Sequence, residues 1–189
     1  MSDLPVTLFN NQKAWEKWLS KHFDSSAGVW LRIAKKDSTE KSVSYQEALD
    51  VALCYGWIDG QKKKFDEGSW LQKFTPRGPR SIWSKINRTK ALALIDAGRM
   101  KPAGLASIDR AKANGQWESA YDSHRTSTVP EDFEAALSKN AKAKKFFATL
   151  NSQNRYAILW RLQTAKKTET RLKRIEQFVD MLNRGETLH

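Results

Sequence analysis

The chain is poor in the residues that staple a fold, hold a metal or cross a membrane. Cys54 is the one cysteine in 189 residues. It excludes an intrachain disulfide and cannot alone make a zinc site. The three histidines, His22, His124 and His189, stand far apart and share no ligand spacing with Cys54 or a carboxylate cluster. No metal and no cofactor is therefore expected. No segment approaches the roughly 18 apolar residues of a membrane span, and residues 1–30 carry charges throughout with no apolar export-signal core. The expectation is a cytoplasmic protein without a transmembrane segment. Also missing are a Walker loop, a glycine-rich strand-to-helix turn and a Gly-x-Ser-x-Gly elbow. No catalytic residue is spelled out.

What is present suits a folded protein. Hydrophobic residues make up 40% of the chain and include eight tryptophans, which argues against disorder. The length fits one ordinary domain, or a main domain with a small appendage. The formal net charge is +12, distributed as −1 over residues 1–60, +8 over 61–130 and +5 over 131–189. Such a field attracts nucleic acid, anionic head groups or acidic metabolites, and equally keeps a protein soluble.

Periodicity and punctuation divide the chain. Asn11 is placed to cap a helix running to about Phe23, with Ala14, Trp15, Trp18 and Leu19 at helical spacing. VWLRIA, residues 29–34, reads as a strand. Ser44 and Glu47 form a capping box for an apolar helix that stops at Gly56 and buries Cys54. Residues 57–65 and 69–75 flank Asp66, Glu67 and Gly68 and predict a β-hairpin. Ser84 and Pro102 open helices closed by Gly98 and Gly115. Residues 122–129 carry no core pattern, and beyond them the spacing predicts helices near 130–139, 141–149, 152–166 and 168–184. The fold class is α+β: a main domain over 1–121 with a small antiparallel sheet packed on helices, a linker at 122–129 and a helical C-terminal subdomain over 130–189.

Nine basic residues lie between Gln61 and Lys90, against the acidic Asp66 and Glu67. Lys62 and Lys64 fall on one face of a strand and Lys63 on the other. Arg77 and Arg80 bracket a loop through Gly78 and Pro79, and the arginine fork is suited to gripping oxyanions. Ser81 and Ser84 are candidates for backbone donors at the start of the next helix, beside Lys85. Trp70 and Trp83 are candidate stacking faces for bases. With Trp57 and Asp59 these residues make the candidate anion-binding set, and DNA or RNA heads the list of partners. Three alternatives stay open at this level. The tryptophans pack the hairpin onto a helix; or Asp59, Arg77 and Trp83 line a pocket for an acidic metabolite; or the basic surface serves solubility alone. A further cluster, Lys166, Lys167, Arg171, Lys173 and Arg174, sits at the start of the last helix against its dipole. Either solvent screens it, the favoured reading, or a bound anion or a neighbouring carboxylate such as Glu169 offsets it.

Several blocks in order resemble the YdeI/OmpD-associated family, the bacteriocin-protection proteins. They are SYQEALD at 44–50, CYGWIDG at 54–60, FTPR at 74–77, WSKIN at 83–87, AGRM with PAG at 97–104, and AKKTETR followed by Arg174 and Ile175. The resemblance spans about residues 8–185, with Gly78 standing where a second arginine would follow Arg77. It implies a part in protection against bacteriocins and cationic antimicrobial peptides and a link to an outer-membrane porin. It implies no catalytic residue. Members are often described as periplasmic, which contrasts with the absence of an export signal here. A net charge of +12 repels a cationic peptide at long range, so a protective role is expected to be indirect.

Overall fold

The computed structural model describes residues 4–189, which fall into two compact units. One comprises the chain to Trp83 together with Asn87–Glu118; the other comprises Ser84–Ile86 with Ser119–His189. The division at Glu118 precedes the 122–129 segment.

The first unit is a sheet covered by helices, and the class is α+β. Its strands are β1 (Val6–Thr7), β2 (Val29–Ala34), β3 (Trp57–Lys64) and β4 (Ser69–Pro76), in the order β1-β2-β4-β3. The sheet is mixed rather than wholly antiparallel, because β1 joins β2 in parallel. Two residues are too few to raise an alternation signal in the sequence. The hairpin β3–β4 is antiparallel, and β4 also pairs with β2.

Helix α1 (Gln12–His22) starts at the Asn11 cap, whose side chain accepts from Ala14 N. Helix α2 (Tyr45–Cys54) starts at the Ser44–Glu47 capping box, with both reciprocal bonds formed. Trp15 of α1 is fully buried, donates its indole N–H to Ala48 O at 3.1 Å, and lies 5.8 Å from the Phe74 ring and 6.3 Å from that of Trp57. Trp57 is also fully buried and donates to Phe23 O at 2.9 Å. Each buried indole donor is thereby satisfied, which removes the cost of sequestering it.

Helices α3 (Lys85–Asp96) and α4 (Pro102–Ala113) follow, and α4 approaches α2 closely. Gly56 ends the helix region with φ +72°, and a Cβ there would sit 2.8 Å from Ala103 O. A Cβ on Gly104 would meet Cys54 O and Met100 Sδ far inside van der Waals contact. Cys54 is 2% exposed, and burial pushes its thiol pKa up, the state of an inert core thiol.

The second unit is helical: α5 (Glu131–Ser138), α6 (Ala141–Thr149), α7 (Ser152–Gln163) and α8 (Thr168–Asn183). Phe133, Phe147, Ile158, Leu162, Phe178 and Leu182 form its core. The basic start of α8 is not merely solvated. Arg171 grips Asp132 with both ends of its fork, Nε to Oδ2 at 2.5 Å and Nη2 to Oδ1 at 2.8 Å, and donates to Leu162 O at 2.7 Å. Asp122, at the head of the 122–129 segment, is held by Lys85 at 2.8 Å and by both ends of the Gln163 amide at 3.0 Å. Tyr156 donates to Asp122 O at 3.0 Å, and burial pushes its phenol up to about 12.

Two outcomes follow. Gly104→Ala should destabilise the first unit by roughly 1–3 kcal/mol through overpacking, while Gly78→Ala, whose Cβ meets nothing within 4 Å, should be near neutral; urea denaturation measures both. The hydrogen bonds from Arg171 hold the Asp132 carboxyl below its ordinary range. A carboxylate depressed in the folded state stabilises the fold above its unfolded pKa, about 3.9, and ceases to as pH falls through the folded value. Asp132→Asn should therefore cost about 1 kcal/mol or less near neutrality. It should also flatten the loss of thermal stability below about pH 4. A variant that loses stability in acid as steeply as the parent contradicts this.

Candidate anion-binding surface

Paired residues of adjacent strands share a face. Val29, Leu31 and Ile33 pair with Phe74, Gln72 and Trp70 on the face where Trp15 packs, while Trp30, Arg32 and Ala34 pair with Lys73, Leu71 and Ser69 on the opposite, open face. On β3 an irregularity between Asp59 and Lys62 sets two residues, Gly60 and Gln61, against Lys73 alone. Simple alternation from Trp57 and Asp59 would send Lys63 to the helix side. The extra residue reverses that parity, so Lys63 pairs with Leu71 on the open face, and Lys62 and Lys64 pair with Gln72 and Trp70. Gln72, 4% exposed, donates its amide to Gly60 O at 2.9 Å and holds the bulge.

The lysines settle on aromatic rings. Lys62 Nζ lies 4.2 Å from the Trp70 ring centre; Lys63 Nζ lies 4.5 Å and Lys73 Nζ 6.0 Å from that of Trp30. Among the described residues none of the three has a carboxylate partner. Trp30 is 9% exposed and Trp70 half-buried, and an ammonium over such a ring is worth ~0.5–2 kcal/mol, enough to pre-place the charge. At the hairpin tip, Lys35, Lys62, Lys63, Lys64, Ser69 and Trp70 line a shallow depression of about 410 Å³. Arg32 differs from the lysines. It sits 5.2 Å from the Phe65 ring centre but is tied to Glu40 at 2.6 Å, Asp66 at 3.3 Å and Ser69 Oγ at 3.0 Å.

The other candidates do not join this surface. Trp57 is core, as its full burial shows. Asp59 accepts from the Tyr45 hydroxyl at 2.8 Å. Arg77 is 6% exposed, with its guanidinium 3.6 Å from the Trp83 ring centre and Nη1 donating to Ile82 O at 3.1 Å. Trp83 is 2% exposed, edge-on to Trp117 at 4.9 Å, so it offers no open stacking face. Ser81 N–H closes a turn onto Gly78 O at 3.0 Å, and Lys85 N–H donates to Tyr121 O at 2.9 Å. Ser84 forms an isolated bridge with Tyr121. Of the remaining cations, Lys85 is paired with Asp122, Lys90 with Asp50 and Lys64 with Glu67, and Arg88 donates to Trp117 O. Arg80 stays exposed on its loop. The nine basic residues thus do not form one field. Trp30, 9% exposed, shares a face with Arg32, Lys63 and Lys73 and not with Leu31, a placement that strand parity carries in the sequence.

Arg77 and Trp83 line a cavity of about 10 Å³ with Ser81 and Arg110 but without Asp59, room for about one water. No group of three or more His, Cys, Asp or Glu among the described residues is placed to hold a metal ion. No helix of the described residues is long and apolar enough to cross a membrane. In the second unit a groove of about 560 Å³ between α5 and α8 is floored by Leu172, Ile175 and Val179, with Asp132, Glu176, Asp180 and Lys139 also in its lining.

Residues 126–185 match the family described as bacteriocin-protection, YdeI or OmpD-associated, and residues 7–107 match a domain of unknown function (DUF8412). Of the blocks that resemble the former, only the one at 165–175 lies inside its matched span; all the others fall under the second description. No curated protein and no solved structure matches the chain.

Arg77→Ala should lower stability by roughly 1.5–3 kcal/mol, the range for a lost hydrogen bond to a charged group. Arg77→Lys should not restore it, since an ammonium lacks the planar stacking fork. Arg80→Ala should leave the unfolding midpoint unchanged. Chemical denaturation of the three variants is the measurement, and an Arg77→Ala protein as stable as the parent refutes the structural role.

Proposed function

The chain belongs to the DUF8412 family and carries a YdeI/OmpD-associated domain of the bacteriocin-protection kind over residues 126–185; on that premise we propose that it is a non-enzymatic basic module that binds an anionic partner, nucleic acid first, through the lysines of the β3–β4 hairpin. One observation carries the reading. Lys62, Lys63 and Lys73 have aromatic rings but no carboxylates as partners, so their charge is unspent and poised at the surface. An incoming phosphate need not break an ion pair to be bound, which keeps the desolvation cost low. Arg80, exposed beyond β4, adds a guanidinium fork.

The protective role is indirect. A chain of net charge +12 repels a cationic peptide at long range, so the protein acts on an anionic cellular component and not by sequestering the peptide. The cytoplasm, where nucleic acid is abundant, is the compartment this reading implies.

Fluorescence polarisation with labelled DNA and RNA tests it. Affinity should fall steeply with added salt, and Lys62→Ala, Lys63→Ala and Arg80→Ala should each lower the log–log salt slope by about one. Lys85→Ala, which removes a cation already neutralised by Asp122, should change the slope little. Salt-independent binding, or none to either nucleic acid, discards the proposal and leaves the basic surface a solubility device.

A further inference from the structure

We infer that the open face of the sheet takes a single strand in preference to a duplex, with one base displacing the ammonium groups of Lys63 and Lys73 from the indole of Trp30 while those groups pass to neighbouring phosphates. This rests on the nucleic-acid reading above and specifies its substrate class.

Two cations cover Trp30, yet neither is tethered. Among the described residues Lys63 and Lys73 have no carboxylate partner, and Lys63 is exposed at the surface. With the lysines in place Trp30 is 9% exposed, and rotation about their side-chain bonds is the motion that would bare more of the ring. The covering of Phe65 on the same face is of another kind, because Arg32 is clamped by Glu40, Asp66 and Ser69. Arg32 therefore stays over Phe65, itself 49% exposed, whereas no ion pair fixes the cations over Trp30. The helices α1 and α2 meet the sheet through Trp15 on the opposite face, so the exchange disturbs no helix packing.

The exchange needs a ligand that carries a flat aromatic group and phosphates together. A single strand supplies both, since an unpaired base can leave its neighbours and stack on an aromatic side chain. A B-form duplex keeps its bases stacked and offers only its phosphates, so Trp30 gains nothing from it. Inorganic polyphosphate offers charge with no ring. The three ligands thus separate the contribution of the indole from that of the lysines.

The experiment compares a labelled oligothymidine of about twelve nucleotides, within single-strand site sizes, with a duplex of equal length and with inorganic polyphosphate, at one salt concentration. The single strand should bind about tenfold tighter than the duplex, the gain expected of one stacked base. It should quench tryptophan emission, whereas polyphosphate should not. Trp30→Leu should lower single-strand affinity about tenfold and leave polyphosphate binding unchanged. Trp30→Phe, which keeps a ring, should stay near the parent for both. If Trp30→Leu fails to fold by circular dichroism, the parent's emission decides: oligothymidine bound without quenching overturns the inference. Equal binding of all three ligands, unaffected at Trp30, overturns it and leaves the anionic-partner reading standing. No binding of any ligand removes both.

Discussion

The first unit depends on where the Trp15 indole is held. Its N–H bond to Ala48 O ties α1 to α2, and its contacts with Trp57 and Phe74 tie both helices to β3 and β4. With no exposure to solvent, the ring commits one side of the sheet to the helices, and by exclusion leaves Trp30, Arg32, Lys63 and Lys73 on the other. The charged surface is therefore a by-product of core packing: the same strands that bury Phe74 and Leu31 must turn their alternate residues outward.

Much of the architecture was legible because its signals are local. Asn11 and the Ser44–Glu47 pair cap α1 and α2 as their spacing predicts, and Gly56 ends the second helix with the positive φ that glycine tolerates. What was not legible depends on the third dimension. The residue that breaks the β3 register reverses the sides taken by Lys62 and Lys63 relative to Trp57, and nothing in WIDGQKKK announces it. Arg77 read as a surface fork because its loop neighbours are glycine and proline; its burial against Trp83 comes from residues six positions on. Strand β1 was too short to be seen at all.

Ion pairing explains why so basic a segment does not act as one surface. Asp50 and Asp122, both remote in sequence from the cations they meet, take up Lys90 and Lys85, and Asp132 does the same for Arg171 on α8. At physiological ionic strength the Debye length is about 8 Å, so cations neutralised in place contribute little beyond their neighbours. Local accounting, residue by residue, decides which charges a partner meets. The net charge of +12 sets only the long-range sign of the encounter.

The buried state of Cys54 has a practical side. At 2% exposure, with its thiol held protonated by the surrounding apolar packing, it is closed to alkylating reagents while the fold is intact. Since the chain has no other sulfhydryl, a cysteine introduced on the hairpin or on the Arg80 loop would be the sole reactive one. A dye, spin label or crosslinker can then be attached at a chosen point without first removing the native residue.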